Sequence, residues 1–452
     1  MKHPEITVYI VSHNYGKYLE EAIESVLRQT VDDWELLIIN DNSTDNTRKV
    51  MNFYQGDERI TLVDTEGIGL PAVCNLAMRM ARGKYIIRLD GDDIFDENCL
   101  LVLRNWLERH PDEAMVFSDF FYIDERGQVY AHERRERIYE RNHALDMAAN
   151  GACCLIRTGV LREIGGYRED LGAQDGFDLW NKLMGRYRCS NVNLPLFYYR
   201  RHGDNLTNKL QHILHARRSI KLDMTTAKLD RFRPIIAVIP CRKNYDFCPN
   251  VWSREVKGKT LLQWDIEKCI ASPLFDHVVV ASDTHQVKEV LNLFSDQRLS
   301  FLERKPENTL RSKSIVATLE RITAAFDPQQ AGLTVLSYNQ APFVTTATLE
   351  EAVTTLVLNE AQSSLGVEEV KECVFKRNSH GLFPINPPRG LSSDFDVVYR
   401  EANIALATRN SNLRSGSLTG ATAVYFTVSR DECFFISSEQ KLQIANILAE
   451  NV

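Results

Sequence analysis

Three apolar runs early in the chain each stop on a polar residue. They are ITVYIVSHN (6–14), WELLIINDN (34–42) and GKYIIRLDGDD (83–93). Each run has the length and β-branched content of a buried strand. Helical patterns lie between them: KYLEEAIESVLRQ places Leu19, Ile23, Val26 and Leu27 on one face, and AVCNLAMRMARG follows the strand-like RITLVDTE. Strands alternating with helices predict a mostly parallel sheet covered on both faces. In such sheets ligands gather at the carboxyl ends of the strands. Asn14, Asp41 and Asp90 all fall at such ends, so a site is expected there. By itself DGDD (90–93) reads equally well as a turn, since Asp and Gly are turn formers.

The alternation runs out near residue 208 and restarts at RPIIAVIPCRKN (233–244), followed by HVVVASD (277–283) and LTVLSYNQAP (333–342). A chain of 452 residues exceeds one ordinary core. The predicted division is 1–208, a helical connector over 209–231, and a second α/β domain over 232–452. The composition, 44% apolar and 25% charged, is that of a globular protein. A net charge of −7 argues against nucleic acid as a partner, and a nucleotide would need local cations or aligned amides. No apolar run reaches the roughly 20 residues of a membrane span. MKHPEITVYIVSHN enters a strand at once, which reads against a signal peptide. Ten scattered cysteines without a framework spacing point to reduced thiols and a cytoplasmic setting, either free or peripheral at the inner membrane face.

VSHNYGKYLEEAIESVLRQT, ELLIINDNSTDNT, GKYIIRLDGDD, AQDGFDLWNKL and YYRRHGDNLT occur in that order over residues 4–208, and the set resembles the family 2 glycosyltransferases. The resemblance implies a GT-A fold (Rossmann-like, with a mixed, mostly parallel sheet), inversion at the sugar carbon and a nucleotide-diphosphate sugar donor. Departure of a diphosphate calls for a divalent cation, Mg²⁺ or Mn²⁺, on oxygen ligands. In extended chain Asp90 and Asp92 would point to the same side, and Gly91 would let the backbone approach the phosphates. The resemblance implies Asp92 and His202 as metal ligands, with Asp90 on the ribose or in the metal's water shell. Asp93 reads either as a further member of this cluster or as a cap. Asp41 would accept from a base N–H, the contact that favours uracil, with a turn residue as the alternative. His13 and Tyr15 would flank the base; His13 replaces the small hydroxyl residue or Tyr more usual there. Arg200 and Arg201 would supply phosphate countercharge, or else form a solvated basic turn. Asp175 matches the second residue of the family's acidic pair and is the expected general base, although Gln174 replaces the first. Asp178 reads as a residue of a helix's first turn, and Trp180 as core.

The second α/β region is similar to the CMP-sialic acid synthetases and other sugar cytidylyltransferases, from IIAVIPCRKNYDFCPNVWSREVKGKT through LERKPENTLRSKSIVATLERI and LSYNQAP. That likeness implies a nucleotidyltransferase-like fold whose basic loop grips CTP. Arg242 and Asn244 remain in the loop. Asp246 and Val251 stand where lysines are expected, and Phe247 where a glycine is. Phe434 and Ile436 fall where the family carries metal-binding aspartates. A carboxylate facing a triphosphate repels it by about 1 kcal/mol or more. The expectation is a domain without nucleotidyl transfer that serves for homodimer contact, for acceptor binding or as a scaffold.

The whole chain is expected to move a sugar from a UDP-sugar to a glycan or lipid-linked acceptor. One alternative is a bifunctional enzyme that also activates a nonulosonic acid with CTP, with Lys243, Lys257 and Lys259 as replacement cations. The other is a non-catalytic sugar-nucleotide scaffold.

Overall fold

The computed structural model describes residues 3–135, 151–184, 186–203, 205, 210–309, 313–370, 372–387 and 398–450. The chain divides into two units at Ala216/Arg217, inside the stretch expected to be a connector.

The first unit runs β1 (Ile6–Ser12), α1 (Leu19–Leu27), β2 (Trp34–Asp41), α2 (Thr47–Asn52), β3 (Ile60–Thr65), α3 (Leu70–Met80), β4 (Tyr85–Asp90), β5 (Ile94–Phe95), α4 (Cys99–Arg109), β6 (Glu113–Ile123), β7 (Val129–Glu133), β8 (Cys154–Arg157), α5 (Thr158–Glu163), α6 (Asp175–Met184) and β9 (Arg188–Arg200). The sheet order is β3-β2-β1-β4-β8-β6-β9-β5, with β7 paired to β6. Strands β1 to β4 are parallel, and antiparallel neighbours enter from β8 onward. Alternate residues of β1 feed opposite faces: Ile6, Val8 and Ile10 join one core, Tyr9 and Val11 the other. That division is why the strand is apolar throughout rather than alternating. Because β1 lies between β2 and β4, Ser12 is level with Asn40 and Val11 with Asp90. Chain direction therefore places the ends of β2 and β4 on either side of β1, at the point where strand order reverses.

The expected connector is helical: α7 (Leu210–Thr225) leads into a 3₁₀ turn, Thr226–Phe232. The second unit continues with β10 (Ile235–Pro240), β11 (Glu255–Val256), β12 (Lys259–Thr260), α8 (Leu261–Ala271), β13 (His277–Ser282), α9 (Val287–Leu291), β14 (Leu299–Glu303), α10 (Val316–Phe326), β15 (Leu333–Ser337), α11 (Thr346–Leu358), β16 (Ser363–Val370), β17 (Phe375–Asn378), β18 (Gly381–Pro384), β19 (Val398–Arg409), α12 (Asn410–Leu413), β20 (Ala423–Thr427) and α13 (Glu439–Ala449). Its main sheet, β14-β13-β10-β15-β19-β16-β20, repeats the plan of parallel strands followed by antiparallel ones. Strands β17 and β18 form a separate hairpin with Phe375, Leu382 and Phe383 exposed.

Within this unit the second half of α7 is tied down by buried charge. Lys221 Nζ reaches Glu351 Oε1 at 2.9 Å and Thr355 Oγ1 at 3.0 Å. Arg218 pairs with Glu351 at 2.8 Å and with Glu432 at 3.1 Å. Removing one member strands the others without water, which typically costs about 3–5 kcal/mol. Glu351→Leu is therefore expected to lower unfolding stability by about that amount in urea titration. The double change Lys221→Met, Glu351→Leu is expected to recover part of the loss, because it leaves no unanswered ammonium.

Candidate active site

The chain leaves β1 through a loop laced to the one after β2. Asn14, held at φ 63°, donates its backbone N–H to Ser43 Oγ at 2.9 Å and accepts from Thr44 N at 2.8 Å. Asp45 accepts from Gly16 N at 2.8 Å and from Thr47 N at 2.9 Å, which ties the loop after β1 to the start of α2. A Cβ on Gly16 would come within 2.4 Å of Asn46 Oδ1 and 2.6 Å of Thr47 N, which makes glycine necessary at this contact. His13 is anchored through Nδ1 on the Asp41 carbonyl at 2.6 Å. A carbonyl can only accept, so Nδ1 carries the proton, leaving Nε2 to accept from Asn14 Nδ2 at 3.2 Å.

Asp41 is buried and accepts three hydrogen bonds from the end of β3 and the segment after it: Thr65 Oγ1 at 2.6 Å, Ile68 N at 2.8 Å and Gly69 N at 2.9 Å. It thus shapes the loop that leads into α3, with lone-pair capacity left for one further donor.

After β4 the backbone turns at once, with Asp93 N bonded to Asp90 O at 3.1 Å. This corrects the expectation that Asp90 and Asp92 share a side through extended-chain alternation, because residues 91 and 92 lie in a turn. It also changes the reading of Gly91. A Cβ there would meet Val11 O at 3.0 Å and Ser12 Cβ at 3.3 Å, so the glycine answers close packing on β1. Asp92 Oδ2 faces His202 Nε2 at 2.9 Å and Asn205 Nδ2 at 3.3 Å. The His202 ring stacks on Tyr18 at 5.3 Å and meets Tyr15 edge-on at 5.7 Å. Tyr15 therefore stands beside the aspartates, and its hydroxyl pKa is pushed up by burial and then by the charges of Asp92, Asp90 and Asp93.

Asp93 Oδ1 accepts from Arg200 N at 2.8 Å. Its Oδ2 is buried with no hydrogen-bond partner among the described residues, and burial followed by the Asp92 and Asp90 charges pushes its pKa well up. Asp93 thus pins the end of β9 rather than capping a helix.

The phosphate role expected of Arg200 does not fit its position. The side chain is 0% exposed. Its Nε donates to Asp92 O at 2.8 Å, Nη1 to Asp124 O at 3.2 Å, and Nη2 to Glu21 at 2.8 Å, while the guanidinium lies 4.7 Å from the Tyr18 ring centroid. This is a clamp on the aspartate turn. Arg201 is exposed, 5.6 Å from the Tyr122 and Tyr199 ring centroids.

Asp175 opens α6, after Gln174 at φ 63°. Its carboxylate pairs with Arg88 Nη1, a residue the sequence reading passed over. Arg88 Nε also lies 2.9 Å from Asp90 Oδ1. Its signal was an arginine inside the apolar run YIIRLD, where a buried charge demands partners. Asp178 lies in the first turn of α6 as expected, pairing with Lys182 at 2.7 Å, and Trp180 is fully buried core.

The Asp90 carboxyl keeps 26% of its surface exposed, yet its pKa is pushed up to about 6. Loss of hydration is the largest cause; Arg88 pulls the other way, and the charges of Asp92 and Asp175 add to the rise. Asp90, Asp92 and Asp175 thus stand near one another with Arg88 among them, and carboxylate oxygens are the donors a hard cation takes. Among the described residues no three His, Cys, Asp or Glu side chains gather as a metal cage. The donor set is the Asp92–His202 pair with Asp90 alongside, which suits a cation that takes its remaining ligands from phosphate and water.

Asn14, Asp41, Asp90 and Asp92 lie inside a recognisable stretch, and Asp175 and His202 beyond it: the family model for Glycosyl transferase family 2 matches residues 7–165. The first unit carries a family 2 glycosyltransferase domain. The Cytidylyltransferase family model matches residues 252–397 of the second unit. A chondroitin synthase of Escherichia coli is 23% identical over 53% of this chain and 36% of its own length. A chondroitin synthase of Pasteurella multocida is 28% identical over 46% of this chain and 22% of its own. An uncharacterised glycosyltransferase of Methanocaldococcus jannaschii is 27% identical over 44% of this chain and 72% of its own. The match thus spans about a third or less of the two synthases. No helix among the described residues is long and apolar enough to cross a membrane.

In the cytidylyltransferase-family domain, the positions expected to lack phosphate and metal ligands come together. Val251 and Ile436 are fully buried in one apolar cluster, with Phe247 and Phe434 packed against it. Asp246 is exposed. Of the proposed replacement cations, Lys259 is paired with Glu267 at 2.8 Å.

The two arginines at the end of β9 should separate in experiment. Arg200→Met is expected to destabilise the protein by about 3–5 kcal/mol in urea unfolding, as loss of a buried cation with several partners does. Arg201→Met is expected to change stability by about 1 kcal/mol or less.

Proposed function

We propose that the first unit transfers a sugar, with inversion, from a nucleotide-diphosphate donor to a hydroxyl of a glycan or lipid-linked acceptor. The observation that carries this reading is the arrangement at the ends of β1, β2 and β4. Asp41, Asp90 and Asp92 stand there within the stretch that the family 2 model matches, and two residues beyond that stretch join them, His202 through Asp92 and Asp175 through Arg88, which also holds Asp90. The names of the synthase relatives favour a growing polysaccharide as acceptor, and Asp41 as the acceptor of a base N–H favours a UDP-sugar as donor.

In this reading the acceptor oxygen attacks the anomeric carbon from the face opposite the diphosphate and forms the new glycosidic bond. The bond from that carbon to the diphosphate oxygen breaks, and its electron pair leaves with the nucleoside diphosphate. The acceptor's proton passes to Asp175. Asp41 receives a base N–H, with His13 and Tyr15 on either side of the nucleoside. Asp90 holds the ribose or a metal-bound water, and Arg201 answers phosphate charge. Asp92 and His202 would hold Mg²⁺ or Mn²⁺, which supplies charge neutralisation of the departing diphosphate. The test is UDP release from a panel of UDP-sugars, with and without EDTA. EDTA and Asp92→Ala are each expected to abolish turnover. Asp175→Asn is expected to keep UDP affinity within a few fold while lowering kcat about 100-fold or more. Full turnover in excess chelator would overturn the cation assignment, and near wild-type transfer by Asp175→Asn would overturn the base.

For the second unit we propose a scaffold or self-association role without nucleotidyl transfer. The support is the apolar packing of Phe247, Val251, Phe434 and Ile436 where cation-binding groups would be needed. Exposed Phe375, Leu382 and Phe383 on the β17–β18 hairpin favour a homodimer. The full chain is expected to release no pyrophosphate from CTP with nonulosonic acids and to scatter light as a dimer. CTP turnover would instead support the bifunctional alternative.

A further inference from the structure

Arg88 is a guanidinium on a central strand with 5% of its side chain exposed, and it touches two carboxylates that belong to different parts of the proposed chemistry. Toward the donor side, Nε lies 2.9 Å from Asp90 Oδ1 and Nη2 lies 3.4 Å from Asp90 Oδ2. Toward the acceptor side, Nη1 pairs with Asp175 Oδ2. Nη1 also lies 3.6 Å from the buried Cys74 Sγ. The segment before β8 closes over the junction: a Cβ on Gly151 would come within 2.5 Å of Arg88 Nη2 and 2.8 Å of Asp175 Oδ2. The guanidinium is thus fixed from several elements at once, by β4 through its own backbone, by α3 through Cys74, by Gly151 and by α6 through Asp175.

Resting on the transfer mechanism above, we infer that Arg88 is a positioning residue that sets Asp175 relative to the donor site. An in-line displacement needs the attacking and leaving oxygens on opposite sides of one carbon, and a misplacement of about 1 Å costs about 100-fold in rate. Asp175 stands at the first position of a helix, with no sheet hydrogen bonds to fix its side chain. Asp90 stands at the end of a central strand. One planar group bonded to both makes the distance between base and donor site a property of the strand. A lysine in its place keeps the charge, but as a point charge without the planar fork it cannot reproduce both contacts.

The test is a double-mutant cycle on the full chain with Arg88→Lys and Asp175→Asn, using UDP with Mn²⁺ as the binding probe and UDP release from the best donor of the panel as the rate. Arg88→Lys alone is expected to lower kcat about 10- to 100-fold while KM and UDP affinity stay within about threefold. In the Asp175→Asn background the same change is expected to cost about twofold or less, because two residues acting as one unit cannot both be lost twice. Independently of turnover, amides at the start of α6 are expected to exchange faster in Arg88→Lys, with β4 unchanged. Multiplicative rate losses, or unaltered exchange in α6, would overturn the inference while leaving Asp175 as base. Near wild-type turnover by Asp175→Asn would instead remove the base assignment, and this inference with it.

Discussion

Two guanidiniums sealed inside the first unit set the terms for everything around them. Arg88 and Arg200 are almost without water, and an unanswered buried charge costs several kcal/mol. Each is therefore surrounded by oxygen. Arg200 draws in the Asp92 carbonyl, Asp93 and Glu21, and so holds the end of β9 against the acidic turn. Arg88 draws in Asp90 and Asp175 and ties α6 to the central sheet. The carboxylates that read as an active site are in part the counter-ions of the fold, so stability and chemistry share the same side chains.

The second unit shows the opposite outcome on a similar plan. Its sheet also sets parallel strands beside antiparallel ones, and its strand β10 also feeds two cores, Ile235, Ala237 and Ile239 on one face and Ile236 and Val238 on the other. Yet the places where the resemblance calls for cations and carboxylates hold Val251, Phe434 and Ile436, packed together. Once a polar pocket is refilled by apolar side chains the change is self-consistent, because restoring a single charge would bury it without a partner. One buried charged network of this unit joins Arg218 and Lys221 of α7 to Glu351 of α11 and to Glu432.

Arg88 stands within YIIRLD, two residues before Asp90. A run of apolar residues interrupted by one arginine is itself a demand for a buried partner. The partner, Asp175, lies 87 positions away and no local pattern names it. Arg200 misled for a related reason. Two adjacent arginines look alike in sequence, but the strand's alternation sends one inward and leaves the other exposed. The Asp90–Asp92 geometry departed from expectation because the turn begins one residue earlier than a continuing strand would allow.

Local sequence by itself determined the first strands of each half, the helices that alternate with the early ones, and the presence of acidic residues at their carboxyl ends. Apolar periodicity and chain direction are enough for those, since a parallel sheet covered on both faces has few alternatives. Only the tertiary structure decided which charges face one another. Pairings such as Asp93 with Arg200, separated by 107 residues, arise from the packing of β9 beside β6 and from the need to satisfy each buried ion. The same packing turned one arginine into a clamp and another into a bridge between two carboxylates, a distinction that depends on burial and distance rather than on residue type.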